Sequence, residues 1–237
     1  MIYQAMKKSR ANSAARRLVE MKSRSEYAPT TFSQFEEYEV PHLPLNIDVR
    51  GMTVLVVGGG KVAERKIRSL LDAEATVRIV APELTPEITR LAAAGTVNLR
   101  SGCYEPCDLQ DAFLVVAATN QPETNRRVAI DARQRDILVA VTDAPESGNC
   151  TFPALLRRGD LEVSVSTSGT CPGFAAVVRD RIAAVIVEEY GVILATLALE
   201  REKLLTEGCH STYNNQILRS RARELINELT EHKERVP

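Results

Sequence analysis

An open, parallel α/β sheet followed by a helical C-terminal region is the fold that this 237-residue sequence predicts. Three observations predict it. Short β-rich runs alternate with helical patterns from Leu45 to Asp143, the first run is apolar almost throughout, and a glycine turn joins it to the first helix. Such alternation puts a crossover helix between parallel strands and covers both faces of the sheet.

The elements follow in order. "TVLVV" (53–57) is the near-continuous apolar strand expected when both sheet faces are buried. Residues 61–72 read as a helix, with Ala63, Ile67, Leu70 and Leu71 on one face. "TVRIVA" (76–81) is the second strand; Thr85 then caps a helix with Pro86 at its first position and Gly95 beyond its end. "TVNLRS" (96–101) is a weaker third strand and "AFLVVAAT" (112–119) a strong fourth. Pro122 opens the helix "PETNRRVAIDARQRD", and "ILVAVTD" (137–143) is the fifth strand. Beyond it, "LEVSVST" (161–167) is a strand behind the turn signal "RRGD", and from Pro172 the pattern is helical. Two apolar stripes, Phe174, Val177, Val178, Ile182, Val185 and Ile186, then Leu218, Ala222, Leu225, Ile226 and Leu229, read as packing or dimer surfaces.

Composition narrows the function. An apolar fraction of 44% and a charged fraction of 26% are ordinary for a globular protein. A net charge of −1 and the lack of Trp argue against nucleic acid and an anionic membrane surface as partners, and no apolar stretch is long enough to span a bilayer. Five unpaired-looking cysteines suit a reducing, cytoplasmic setting. Cys103 and Cys107 lack the second ligand pair of a zinc site. Residues 1–41 stand apart, as a basic Ser- and Ala-rich stretch followed by a linker of turn formers and acids. They suit a mobile extension, with Met21 as another start, an organelle transit peptide or a helical basic arm; the extension is preferred.

Between a strand and a helix, "GGGKVA" is a G-x-G-x-x-A variant of the dinucleotide fingerprint. Gly58 allows the tight turn, Gly60 lets the backbone approach a pyrophosphate, and Ala63 packs the helix against the strand. The helix start near Gly60 aims free N–H groups at the phosphates. Glu83, just past the second strand, is the acid available for the adenosine ribose. With no Arg directly after that strand for a 2′-phosphate, NAD is favoured over NADP. Thr119 and Asn120, after the fourth strand, either reach the nicotinamide half or cap the helix opened by Pro122. Asp143 closes the fifth strand at the sheet edge where ligands bind. Partly shielded beside a cofactor, its carboxylate could take a proton or ligate a metal; a turn-forming Asp before Ala-Pro is the plain alternative.

The motifs "VLVVGGGKVAERKIRSLL", "IVAPE", "LVVAATNQPETNRRV", "VTDAP", "CTFPALLRRGDLEVSVSTSGTCP" and "AAVVRDRI" resemble, in order and spacing over residues 42–220, the precorrin-2 dehydrogenase family, the N-terminal module of siroheme synthases. The resemblance implies a Rossmann-like NAD-binding domain over 42–150, a small α+β dimerisation segment over 151–178 and a helical C-terminal domain over 179–237, paired as a homodimer. It implies NAD-dependent oxidation of precorrin-2 to sirohydrochlorin, with Fe²⁺ as a further substrate where the module also chelates. It places cofactor contacts on Gly58, Gly60, Lys61, Val62, Pro82 and Glu83, and the key aspartate, also the metal ligand of any chelatase, on Asp143. Ser166, Thr167, Ser168, Gly169 and Thr170 fall beside the tetrapyrrole pocket, with Thr167 where a regulatory serine stands in a bacterial member. The sequence ends about where a methyltransferase module begins in fused members, so no such module is expected. A rim of carboxylates calls for cationic partners, and Arg157, Arg158, Arg179 and Arg181 are candidates by position. The rival from another class is a non-enzymatic NAD-sensing module, which shares the glycine loop but does not need "VTDAP" or "STSGTCP".

Overall fold

A computed structural model describes residues 42–206 and 211–235. The expectations for 1–41 lie outside the described residues. The parallel strands β1 (Thr53–Val57), β2 (Thr76–Ala81), β3 (Asn98–Ser101), β4 (Leu114–Ala117) and β5 (Leu138–Val141) form one sheet in the order β3-β2-β1-β4-β5. The helices α1 (Lys61–Asp72), α2 (Pro86–Ala93) and α3 (Pro122–Arg133) are the crossovers.

Alternate residues of the strands feed two cores. Val54, Val56, Val77, Ile79, Leu114 and Val116 pack with Ala63, Ile67 and Leu70 of α1 and Ile88 of α2. Leu55, Val57, Val80, Val115, Val139 and Val141 pack with Val128, Ala129 and Ala132 of α3 on the opposite face. That two-sided burial is why the strands are apolar runs rather than alternating ones. Thr85 caps α2, accepting from the Ile88 N–H at 3.3 Å, as its sequence position predicts.

The third, fourth and fifth strands are shorter than their apolar runs, because the flanking residues turn into the loops at the sheet edge. Beyond β5 the structure adds a strand that the sequence pattern does not predict. β6 (Ala154–Arg158) pairs antiparallel with β7 (Leu161–Val165) through a two-residue turn, with Gly159 at φ 56°. "LEVSV" is therefore half of a hairpin. Three helices follow, α4 (Pro172–Ala183), α5 (Glu189–Thr206) and α6 (Ser211–Arg235). Ala175 is the buried apolar residue of α4, while Phe174, Val177 and Val185 remain exposed, as do Val192 and Leu199 of α5. No helix among the described residues is long and apolar enough to cross a membrane.

Candidate functional site

Strand order reverses between β1 and β4, so the loops after these strands diverge and leave a crevice at their carboxyl ends. A cleft of about 450 Å³ lies there, lined by Gly58, Gly59, Gly60, Pro82, Glu83 and Thr119, among others. Each glycine has its own reason. Gly58 has φ 125°, and a Cβ on it would strike the Ala118 carbonyl. A Cβ on Gly59, for which the fingerprint spacing specifies no role, would strike the Glu83 carbonyl; the Thr85 N–H also donates to the Gly59 carbonyl at 2.9 Å. These two residues thus bind the β1–α1 turn to its neighbours. Gly60 differs, because a Cβ there would meet nothing within 4 Å.

Gly60 is the N-cap of α1, and no side chain caps that helix. The first-turn N–H groups and the positive end of the helix dipole are left for an anion. Glu83 is exposed on the β2 side of the cleft, where it can accept from ribose hydroxyls. A dinucleotide fits this donor and acceptor set: open glycine, uncapped helix start and acid at the next strand. Lys61 and Val62 do not line the cleft. The Lys61 ammonium, on a largely exposed side chain, pairs with Glu64 at 3.2 Å. Glu64 itself is buried, and the Thr85 hydroxyl, with Lys61 and Arg68, holds its carboxyl below the ordinary range. Val62 faces a second cleft, described below.

The loops after β4 and β5 are joined by one buried side chain. Asn125 of α3 is 1% exposed. Its Oδ1 accepts from the Thr119 N–H at 3.1 Å and from the Thr119 hydroxyl at 2.7 Å, and its Nδ2 donates to the Thr119 carbonyl at 3.0 Å. The same Nδ2 donates to Asp143 Oδ1 at 2.9 Å. Asp143 is thereby oriented, with Oδ2 lacking a protein donor among the described residues. Asp143 is exposed among the described residues, at the sheet edge where a cofactor would lie beside it. Asn120 does not cap α3. Gln121 occupies the N-cap, and Asn120 lines the cofactor cleft with Thr119.

The second cleft, about 520 Å³, lies between α1, the β5 end and the hairpin with its following loop. Ser166, Thr167 and Gly169 line it, whereas Ser168 and Thr170 do not. The loop is held by its own side chains: the Ser168 N–H donates to Ser166 Oγ at 3.1 Å, and the Cys171 N–H to Thr167 Oγ1 at 3.2 Å. Ser168 at φ 52° and Gly169 at φ 85° make the tight reversal that turns the loop into α4. Of the four candidate arginines, Arg179 alone lines this cleft. Arg157 faces Glu162 across the hairpin at 2.6 Å, and Arg158 pairs with Glu188 at 2.9 Å and donates to the Ile186 carbonyl. Among the described residues no group of three or more His, Cys, Asp or Glu side chains could hold a metal.

Residues 45–154 match a family model described as putative NAD(P)-binding. The chain is 42% identical over 162 residues to the siroheme synthase of Methylobacillus flagellatus, covering 68% of this chain and 34% of that protein. It is 43% identical over 148 residues to that of Chromobacterium violaceum, covering 62% and 32%. The chain thus spans about a third of the length of these relatives. The solved structure of SirC, a precorrin-2 dehydrogenase, superposes with a TM-score of 0.67 at 26% identity, over 80% of this chain and 99% of that one.

Proposed function

We propose that this chain, which is similar to siroheme synthases and to the precorrin-2 dehydrogenase SirC, belongs to their family and oxidises precorrin-2 to sirohydrochlorin with NAD as the hydride acceptor. One observation carries the reading: Asn125 ties the Asp143 carboxylate to Thr119 at the wall of the dinucleotide cleft. A proton acceptor is thus fixed beside the place where a hydride would be taken up. The non-enzymatic sensor reading is dropped, since siroheme synthase and precorrin-2 dehydrogenase are the proteins that the chain resembles.

The oxidation removes one hydride and one proton from the reduced macrocycle, giving sirohydrochlorin, NADH and H⁺. Bound NAD supplies the redox capacity. The chain's own residues hold, orient and accept. Gly60 and the start of α1 seat the pyrophosphate, Pro82 and Glu83 border the adenosine ribose, and Thr119 borders the nicotinamide half. Glu83 favours NAD over NADP by repelling a 2′-phosphate. Asp143 Oδ2 takes the macrocycle's proton while Oδ1 stays on Asn125. Ser166, Thr167 and Gly169 line the macrocycle's side of the site, and Ser168 and Thr170 shape the loop that carries them. Where the module also inserts iron, Fe²⁺ is a substrate held by Asp143 and the macrocycle's nitrogens.

The cofactor domain is taken as 42–150, the dimerisation segment as 151–178 and the helical domain as 179–237. Exposed Phe174, Val177 and Val185 support a homodimer, with apolar side chains that a partner copy would bury. The free thiols of Cys103, Cys107, Cys150 and Cys171 support a reducing cytoplasmic setting. Replacing Asp143 by Ala tests the mechanism. Turnover should fall at least about a hundredfold, the scale of a lost general base, with NAD affinity kept. Turnover within a factor of two of wild type removes Asp143 from the reaction.

A further inference from the structure

The second cleft holds cations and no acid. Val62, Arg65, Lys66 and Ser69 lie at i, i+3, i+4 and i+7 on α1, so one face of that helix forms a wall. Arg179 of α4 stands on another wall, and no Asp or Glu lines the cleft. Lys66 is half-buried with its ammonium 4.1 Å from the centroid of the Phe152 ring. Neither Lys66 nor Arg65 has a carboxylate partner among the described residues. Arg179 donates to Asp180, which does not line the cleft. Burial, and secondarily the Arg65 charge, push the Lys66 ammonium down to about 8 from 10.5.

An ammonium taken partly out of water, with a second cation beside it, is costly unless an anion joins it. A structural lysine lying on an aromatic ring would normally extend its head to solvent. This one instead faces a cleft that ends at Thr142, next to Asp143, and at the Ser166–Gly169 loop.

We propose that Lys66, flanked by Arg65 and Arg179, is the anchor for a peripheral carboxylate of the substrate, bound in the cleft between α1 and the β6–β7 hairpin. The anchor rests on the reading that the substrate is a carboxylated tetrapyrrole. It sets which edge of the macrocycle faces Asp143, and so contributes to specificity rather than to bond breaking. Lys66, not the hairpin arginines, is then the principal cationic contact, because Arg157 and Arg158 are already engaged with Glu162 and Glu188.

The test uses the full chain and two variants. Lys66→Met keeps an apolar stem on Phe152 and removes the charge; Lys66→Arg keeps a charge. Two readouts are taken: steady-state constants for precorrin-2 and NAD, and fluorescence binding of uroporphyrin III, a stable carboxylated macrocycle, against its octamethyl ester. Lys66→Met should raise KM for precorrin-2 and Kd for uroporphyrin III by about tenfold or more, the scale of one lost charge-assisted hydrogen bond. KM for NAD should stay within twofold, Lys66→Arg should recover most of the loss, and the ester should bind wild type and Lys66→Met alike. Unchanged KM and Kd in Lys66→Met, with precorrin-2 still oxidised, overturns the anchor and leaves the dehydrogenase standing. If wild type oxidises no precorrin-2 but binds uroporphyrin III through Lys66, the anchor for a carboxylated macrocycle stands and the proposed reaction falls. Binding that ignores Lys66, with no oxidation, overturns both.

Discussion

Gly60 and Gly59 are neighbours in one turn, yet alanine at each should fail differently. At Gly60 the added methyl meets nothing within 4 Å, and φ −85°, ψ −174° is backbone that alanine adopts freely. Alanine is a poorer N-cap than glycine by up to about 1 kcal/mol, and the stiffer unfolded chain returns roughly half of that or more. The net effect on stability is about 0.5 kcal/mol, or roughly 1–2 °C in Tm for a domain of this size. The same methyl stands where a pyrophosphate must approach α1. Overpacking of that kind costs about 1–3 kcal/mol, so the Kd for NAD should rise roughly 5- to 150-fold. At Gly59 the methyl collides with the Glu83 carbonyl and crowds Leu84, so the turn itself must shift. Gly59→Ala should lose about 2–3 kcal/mol, or roughly 5–10 °C. Calorimetric titration with NAD and thermal melts of both variants read the contrast. If Gly60→Ala binds NAD like wild type, the cofactor does not sit at this helix start. If it melts as low as Gly59→Ala, the open space above Gly60 is wrong.

Asn125→Ala should cost about 2–3 kcal/mol in chemical denaturation, because the Thr119 N–H loses its buried acceptor. It should also lower kcat more than it raises KM for NAD, since Asp143 loses its orienting donor; equal effects on both would make Asn125 a scaffold residue only. For Lys66, the folded chain releases its proton at about 8 and the unfolded chain near 10.5. Between those values the unfolded state binds more protons, so this group makes stability rise with pH. The gain should be on the order of 2 kcal/mol after allowance for solvent at the half-buried site. The difference in unfolding free energy between wild type and Lys66→Met, followed from pH 7 to 10.5, should shrink by that amount; a flat difference refutes the burial cost.

Much of the sheet was legible because its strands are buried on both faces. Val54 to Val57 and Leu114 to Ala117 are apolar without alternation, and no helix pattern imitates so short a run between turn signals. β6 was not legible. "ALLRR" is short, half-buried and ends in charges, and it becomes a strand only through the turn at Gly159 that pairs Arg157 with Glu162. Gly58 and Gly60 announced themselves by spacing, but Gly59 did not, because the approach of the Glu83 carbonyl comes from another crossover. Asn125 sits inside "PETNRR", which reads as an exposed helix start. Its burial follows from Thr119 and Asp143 converging on it across two strand ends, which no local pattern records. Lys66 was hidden likewise: the helix was read by its apolar face, and the face that turns toward the hairpin depends on where the hairpin lies.

In the proposed reaction the dinucleotide cleft and Asp143 serve one oxidation. Purified chain, enzymatically made precorrin-2 and NAD under anaerobic conditions, followed by absorbance, test it most directly. Sirohydrochlorin and NADH should accumulate in equal amounts and only with protein present, and Fe²⁺ added afterwards reads any chelatase step separately. NAD binding without sirohydrochlorin would contradict the claim, leaving a nucleotide site whose partner substrate is not this macrocycle.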